Sequence, residues 1–134
     1  MFIYITKENI NELDNSFISK KFVLDEINNN PFGKFLIYKD DNILGYIYYS
    51  DIYERIEINQ FEVYPKKRNC GIGSKLLGKL IKSSGKDITL EVREDNIIAL
   101  KLYNKFNFKK VAIRRCYYED IDGILMERKI KETL

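Results

Sequence analysis

Apolar and polar residues alternate over residues 1–7, with Phe2, Tyr4 and Thr6 against Ile3 and Ile5, which predicts a first strand. Residues 8–30 change to a helical rhythm in one or two pieces, with Phe17, Phe22, Val23, Leu24 and Ile27 as the side chains to bury. Asn28-Asn29-Asn30-Pro31 ends that stretch, because asparagine favours turns and proline disfavours helix in the residue before it. Residues 34–39 and 43–49 read as two strands joined across Asp40-Asp41-Asn42 in a hairpin. A fourth strand over 55–64 stops at Pro65, which has no N–H to give a ladder. Helical spacing returns at Ile72, Leu76, Leu77, Leu80 and Ile81, with Lys75, Lys79 and Lys82 on the other side. After Ser83-Ser84-Gly85 comes a strand over 88–93. Asn96 then offers an N-cap for a helix carrying Ile98, Leu102, Tyr103 and Phe106. Asn107, tolerant of the left-handed conformation, ends it. Strands over 110–118 and 124–130 close the chain around Glu119-Asp120-Ile121-Asp122-Gly123. The order is β, α, three strands, α, β, α, two strands, which predicts one mixed α/β domain over residues 1–134.

Composition narrows the function classes. With 134 residues, 45% hydrophobic and 32% charged, the chain can bury a core and is globular rather than disordered. A net charge of +3 calls for neither nucleic acid nor a membrane surface as a partner. Two cysteines, Cys70 and Cys116, have no metal spacing, and no signal peptide or long apolar run is evident, so a reducing cytoplasm is expected. Histidine is absent altogether. Proton transfer therefore falls to Glu, Asp, Lys, Tyr, Cys or water. A serine–histidine triad is excluded, and no metal is expected.

The chemistry concentrates between the fourth strand and the helix after it. Gly71 and Gly73 sit where that helix begins, and without Cβ atoms they let a ligand approach N–H groups that lack an intrahelical partner. Those donors, the positive end of the helix dipole, and Lys66, Lys67 and Arg68 suit a phosphate or diphosphate. An ordinary turn would use the same glycines, so both readings stand on the local residues alone. The spacing is not that of a P-loop, which needs G-x-x-x-x-G-K-[ST], nor of a Rossmann fingerprint, where Leu76 occupies the place of the third small residue.

Arg68-x-x-Gly71-x-Gly73, preceded by Val63-x-Pro65, resembles the acetyl-CoA loop of the GNAT superfamily of N-acetyltransferases. Leu90-Glu91-Val92-Arg93-x-x-Asn96-x-x-Ala99-x-x-Leu102-Tyr103-x-x-x-x-Phe108, followed by Ile113-Arg114-Arg115-x-Tyr117-Tyr118, is similar to the ribosomal-protein-alanine N-acetyltransferases (RimI) within it. The resemblance covers about residues 56–126. Three departures accompany it. Phe106-Asn107-Phe108 stands where the family has Leu-Gly-Phe, the turn between Tyr118 and Met126 is several residues shorter, and a Pro-Trp segment near the N-terminus is missing. The last two bear on the acceptor and leave the cofactor half untouched.

The resemblance implies a GNAT fold, in which a mixed sheet with two splayed parallel strands, here 55–64 and 88–93, and flanking helices takes acetyl-CoA as co-substrate. Phe61, Glu62 and Val63 would line the pantetheine as an added strand does, and main-chain N–H groups of Arg68, Asn69, Cys70, Gly71, Ile72, Gly73 and Ser74 would hold the diphosphate. Asn96 would hydrogen-bond the pantetheine arm besides capping its helix. The implied activity is acetyl transfer to a primary amine, foremost the N-terminal α-amine of a protein, by direct attack in a ternary complex. Glu91 matches the proton acceptor and Tyr103 the group that protonates the departing thiolate; Glu57 is a rival base. Taken alone, Glu91 also reads as a salt-bridged carboxylate near Arg93, and Tyr103 as a core aromatic. Tyr117 and Tyr118 either border the acceptor groove or pack as strand residues. A small-molecule amine or a lysine side chain is the alternative acceptor, and a non-catalytic acyl-CoA sensor the alternative class. Retention of Glu91, Tyr103 and the loop speaks against the sensor.

Overall fold

The computed structural model describes residues 1–130, so the last four residues of the expected 1–134 domain lie outside the described ones. Seven strands, β1 (Phe2–Ile5), β2 (Gly33–Lys39), β3 (Ile43–Ile52), β4 (Arg55–Val63), β5 (Asp87–Arg93), β6 (Lys109–Tyr118) and β7 (Ile121–Arg128), form one sheet in the order β1-β2-β3-β4-β5-β7-β6. Every neighbouring pair is antiparallel except β4 and β5. That parallel pair needs a crossover, which α2 (Ile72–Ser84) supplies. The other helices are α1 (Lys20–Asn29) and α3 (Ile97–Lys105).

The period of two along each strand divides the apolar residues between two cores. Leu36 of β2, Ile47 and Tyr49 of β3, Leu90 and Val92 of β5 and Met126 of β7 face α2 and α3, where they meet Leu76, Leu77, Leu80 and Tyr103. Phe35, Ile37, Tyr46 and Tyr48 face the other way, onto Leu13, Ile18 and Val23 around α1. Residues 43–50 of β3 are buried throughout, as a central strand covered on both faces must be.

The stretch 8–30 is two pieces, a 3₁₀ segment Lys7–Leu13 and α1. Asn9 divides the first piece with a non-helical backbone, because its side chain donates to the Tyr4 carbonyl and accepts from the Thr6 N–H. Ser19 starts α1 by accepting from the Phe22 N–H. The final hairpin is tighter than the sequence suggests, with β7 beginning at Ile121 rather than 124. Glu119 and Cys116 take positive φ, and the Asp122 carboxylate accepts from the Cys116 N–H at 2.9 Å, which draws the strand ends together. Asn96 and Asn107 behave as expected: the first accepts from the Ala99 N–H, and the second has a φ of 68° just beyond α3. No helix among the described residues is long and apolar enough to cross a membrane.

Candidate active site

β4 and β5 pair over three positions only, Arg55 with Asp87, Ile56 with Ile88 and Glu57 with Thr89. Beyond Glu57 the strands part. A bulge helps: Tyr48 of β3 pairs with Gln60 and Tyr49 with Ile58, so Asn59 is an extra residue that bends β4 away. On the α2 side this parting opens into a cleft of about 400 Å³.

The floor of the cleft is the start of α2. Gly71 caps that helix with φ 79° and ψ 8°, a left-handed conformation that a Cβ would strain. Asn69, with φ 66°, makes the same kind of turn two residues earlier. Among the described residues, the N–H groups of residues 69–74 engage no carbonyl or side chain. Lys66, Lys67 and Arg68 are exposed and sit in no ion pair among the described residues. Unpaired donors, a helix N-terminus and free cations together make an anion cradle. Gly73 serves close packing instead: a Cβ there would lie 3.3 Å from Leu102 of α3.

Of the expected cofactor residues, Phe61, Glu62, Val63, Arg68, Asn69, Gly71, Ile72, Gly73, Ser74 and Asn96 line this cleft, as does Tyr103. Cys70 does not; it is exposed and its thiol donates to the Arg68 carbonyl at 3.7 Å. Lys67, Ile98, Ala99 and Leu102 complete the lining. Ile98, a core candidate by its spacing, is 74% exposed at the rim. Asn96 spends its Oδ1 on capping α3, which leaves its amide N–H groups for a ligand.

Tyr103 is buried beneath the gap, its ring 5.5 Å from Phe108 and 6.4 Å from Phe61. Burial pushes its phenol up to about 12, so it keeps its proton at neutral pH. Glu91 is not in this cleft. It alternates with the buried Leu90 and Val92 and therefore projects from the opposite face of the sheet. There Oε2 lies 3.6 Å from Nε of Arg114, and Oε1 is buried without a hydrogen-bond partner among the described residues. Glu57 shares that face but is tied to Arg55 at 2.8 Å. Tyr117 and Tyr118 flank the same region in an edge-on pair with centroids 4.9 Å apart. Burial, and then the Glu91 charge, raise the Tyr118 phenol above its ordinary value. The residues expected to hold the cofactor and those expected to face the acceptor thus sit on opposite faces of the sheet, on either side of the parting of β4 and β5.

A helix N-terminus at the opening between two parted parallel strands of a mixed sheet is the arrangement that the resemblance implies, and solved structures share the fold. The ribosomal-protein-S18-alanine N-acetyltransferase of Escherichia coli superposes with a TM-score of 0.80 at 21% identity, over 100% of this chain and 97% of that one. A GNAT family acetyltransferase from Elizabethkingia anophelis, solved with acetyl-CoA bound, gives a TM-score of 0.73 at 21% identity over 96% and 97%. The model of the acetyltransferase (GNAT) family matches residues 5–108, and the chain belongs to that family. It is 35% identical over 89 residues to the [ribosomal protein bS18]-alanine N-acetyltransferase of Haemophilus influenzae, covering 63% of this chain and 60% of that one. The chain spans 21%, 60% and 40% of the length of the first three curated relatives it matches.

Proposed function

We propose that this protein transfers the acetyl group of acetyl-CoA to a primary amine, foremost the N-terminal α-amine of a protein. The observation that carries the reading is the parting of β4 from β5 beyond Glu57, with unengaged main-chain donors on one face and the Glu91 carboxylate on the other. The diphosphate of the coenzyme lies on the N–H groups at the start of α2, and the pantetheine runs along Phe61 and Val63 past the Asn96 amide. Cys70 contributes only its main-chain N–H. The acyl end then reaches the opening from below, and the acceptor arrives from the face that carries Glu91, Tyr117 and Tyr118. The same reading takes the chain as one catalytic domain at work in the cytoplasm.

The reaction is direct attack. The amine lone pair bonds to the thioester carbonyl carbon, the C–S bond breaks, and the sulfur takes the phenolic proton of Tyr103. The proton shed by the amine passes to Glu91 through water. A terminal α-amine with pKa of roughly 8 is about a tenth neutral at pH 7, whereas a lysine at about 10.4 is under a thousandth neutral. An N-terminal acceptor therefore asks less of its base. The names of the Haemophilus and Escherichia relatives favour that acceptor.

The test is thiol release from acetyl-CoA with three acceptors: a peptide with a free N-terminus, an N-terminally blocked peptide with one lysine, and a polyamine. The fastest turnover is expected with the first. A preference for either of the others reassigns the acceptor, and coenzyme binding without turnover on any of the three makes the protein a sensor.

A further inference from the structure

The two carboxylate oxygens of Glu91 lie in unlike surroundings. Oε2 is 3.6 Å from Nε of Arg114, whereas Oε1 is buried and meets no donor among the described residues. Residue 123 makes this arrangement possible. A Cβ there would stand 2.6 Å from Oε1 and 3.3 Å from Cε2 of Tyr118, so only glycine lets the carboxylate lie against β7. Arg114 is the β6 partner of Gly123 in the ladder, which brings its side chain out of the sheet beside that carboxylate. Although 56% exposed, its guanidinium is steadied 4.9 Å from the centre of the Tyr117 ring.

Other charged or titratable groups share the face. They include Tyr118 of β6, Arg93 and Asp87 of the same strand as Glu91, Arg55 and Glu57 of β4 and Glu127 of β7. Arg93 is engaged by Asp95, Glu57 by Arg55 and Glu127 by Lys129. Arg114 is thus the cation within ion-pair distance of Glu91 among the described residues.

We infer that Arg114 is a positioning residue, which together with the niche at Gly123 holds the Glu91 carboxylate in one orientation, so that Oε2 meets the proton leaving the acceptor amine. The inference rests on the assignment of Glu91 as base in the proposed function. A carboxylate free to rotate offers either oxygen in many directions; with Oε1 seated against Gly123 and Oε2 held beside Arg114, the line along which Oε2 accepts is fixed. Gly123 contributes by leaving the volume in which Oε1 sits.

Four variants test this: R114M, R114K, E91Q and the double variant E91Q/R114M. Each is assayed by steady-state thiol release with the free N-terminal peptide and by calorimetry with acetyl-CoA. R114M is expected to lower kcat roughly tenfold, a fraction of the ~100-fold that a positioned base contributes. Its acetyl-CoA affinity should stay within twofold of the parent. R114K should recover part of the rate, because an ammonium can reach the carboxylate without the guanidinium's stacking on Tyr117. R114M should add no further loss to E91Q. The inference is overturned by an R114M kcat within twofold of the parent, or by equal slowing in the parent and in E91Q. A full rate in E91Q removes the base assignment and this inference together. A slow E91Q with a fast R114M removes the inference alone.

Discussion

On the α2 side of the sheet the floor of the cleft offers unengaged main-chain N–H groups, fixed by where a helix begins; on the other side stand the charged and aromatic side chains Glu91, Arg114, Tyr117 and Tyr118. The first arrangement depends on backbone path and tolerates exchange of most side chains, provided residue 71 can hold a positive φ. The second depends on individual atoms meeting across three strands, so one substitution can dissolve it. A family can therefore keep one donor substrate while it varies the acceptor, because the two sites are made of different material.

Experiments that strike one face and spare the other put this contrast at risk. The largest effect is expected from Glu91→Gln, a fall in kcat of about 100-fold with acetyl-CoA affinity unchanged. Thiol release and calorimetry on the same sample measure both, and an unchanged rate would shift the base to Glu57 or to water. On the cofactor side, Gly71→Val forces a β-branched residue into a left-handed conformation at a cost of ~1–2 kcal/mol. Calorimetry should show acetyl-CoA binding about tenfold weaker, 1.4 kcal/mol per tenfold being the conversion. Ser74→Ala, which leaves every N–H in place, should change it less than twofold. If the serine matters more than the glycine, the cradle is not made of backbone. Tyr103→Phe should cost less than the Glu91 or Gly71 change, a several-fold loss of kcat, since a thiolate leaves readily without an acid. It carries a pH signature as well. The phenol titrates near 10 in the unfolded chain and at about 12 in the folded one, so the native state keeps a proton that the unfolded state has lost. Stability therefore falls as pH climbs from about 10 toward 12. Denaturant melts over that range should show a shallower fall for Tyr103→Phe than for the parent.

What could be read from the chain beforehand follows the same division. Signals that are local in sequence survive: the cap at Asn96, the left-handed Asn107, and the strand–loop–helix with its glycines all sit where their neighbours put them. The two-piece reading of residues 8–30 holds, but the interruption at Asn9 comes from a side chain turned back onto Tyr4 and Thr6, a contact invisible to helical periodicity. Gly123 reads as a turn residue, since a glycine needed for space and one needed for bending look the same in a sequence. The pairing of Glu91 with Arg114 depends on the registers of β5 with β7 and β7 with β6. Nothing within a few residues of either one announces it. The resemblance supplied Glu91 and Tyr103 as a couple, but not that a sheet stands between them.

The short β4–β5 register has a mechanical consequence. Four antiparallel strands on one side and three on the other behave as two plates stapled at one end by Arg55–Asp87, Ile56–Ile88 and Glu57–Thr89, with the Thr89 hydroxyl donating to the Ile56 carbonyl as one more stitch. The aperture through which an acyl group would pass opens beyond this hinge, whose residues are not among those lining the cleft. Trimming Ile56 or Ile88, both buried in the core that faces α2, would slacken the staple and alter the calibre of the aperture without removing a single reacting group.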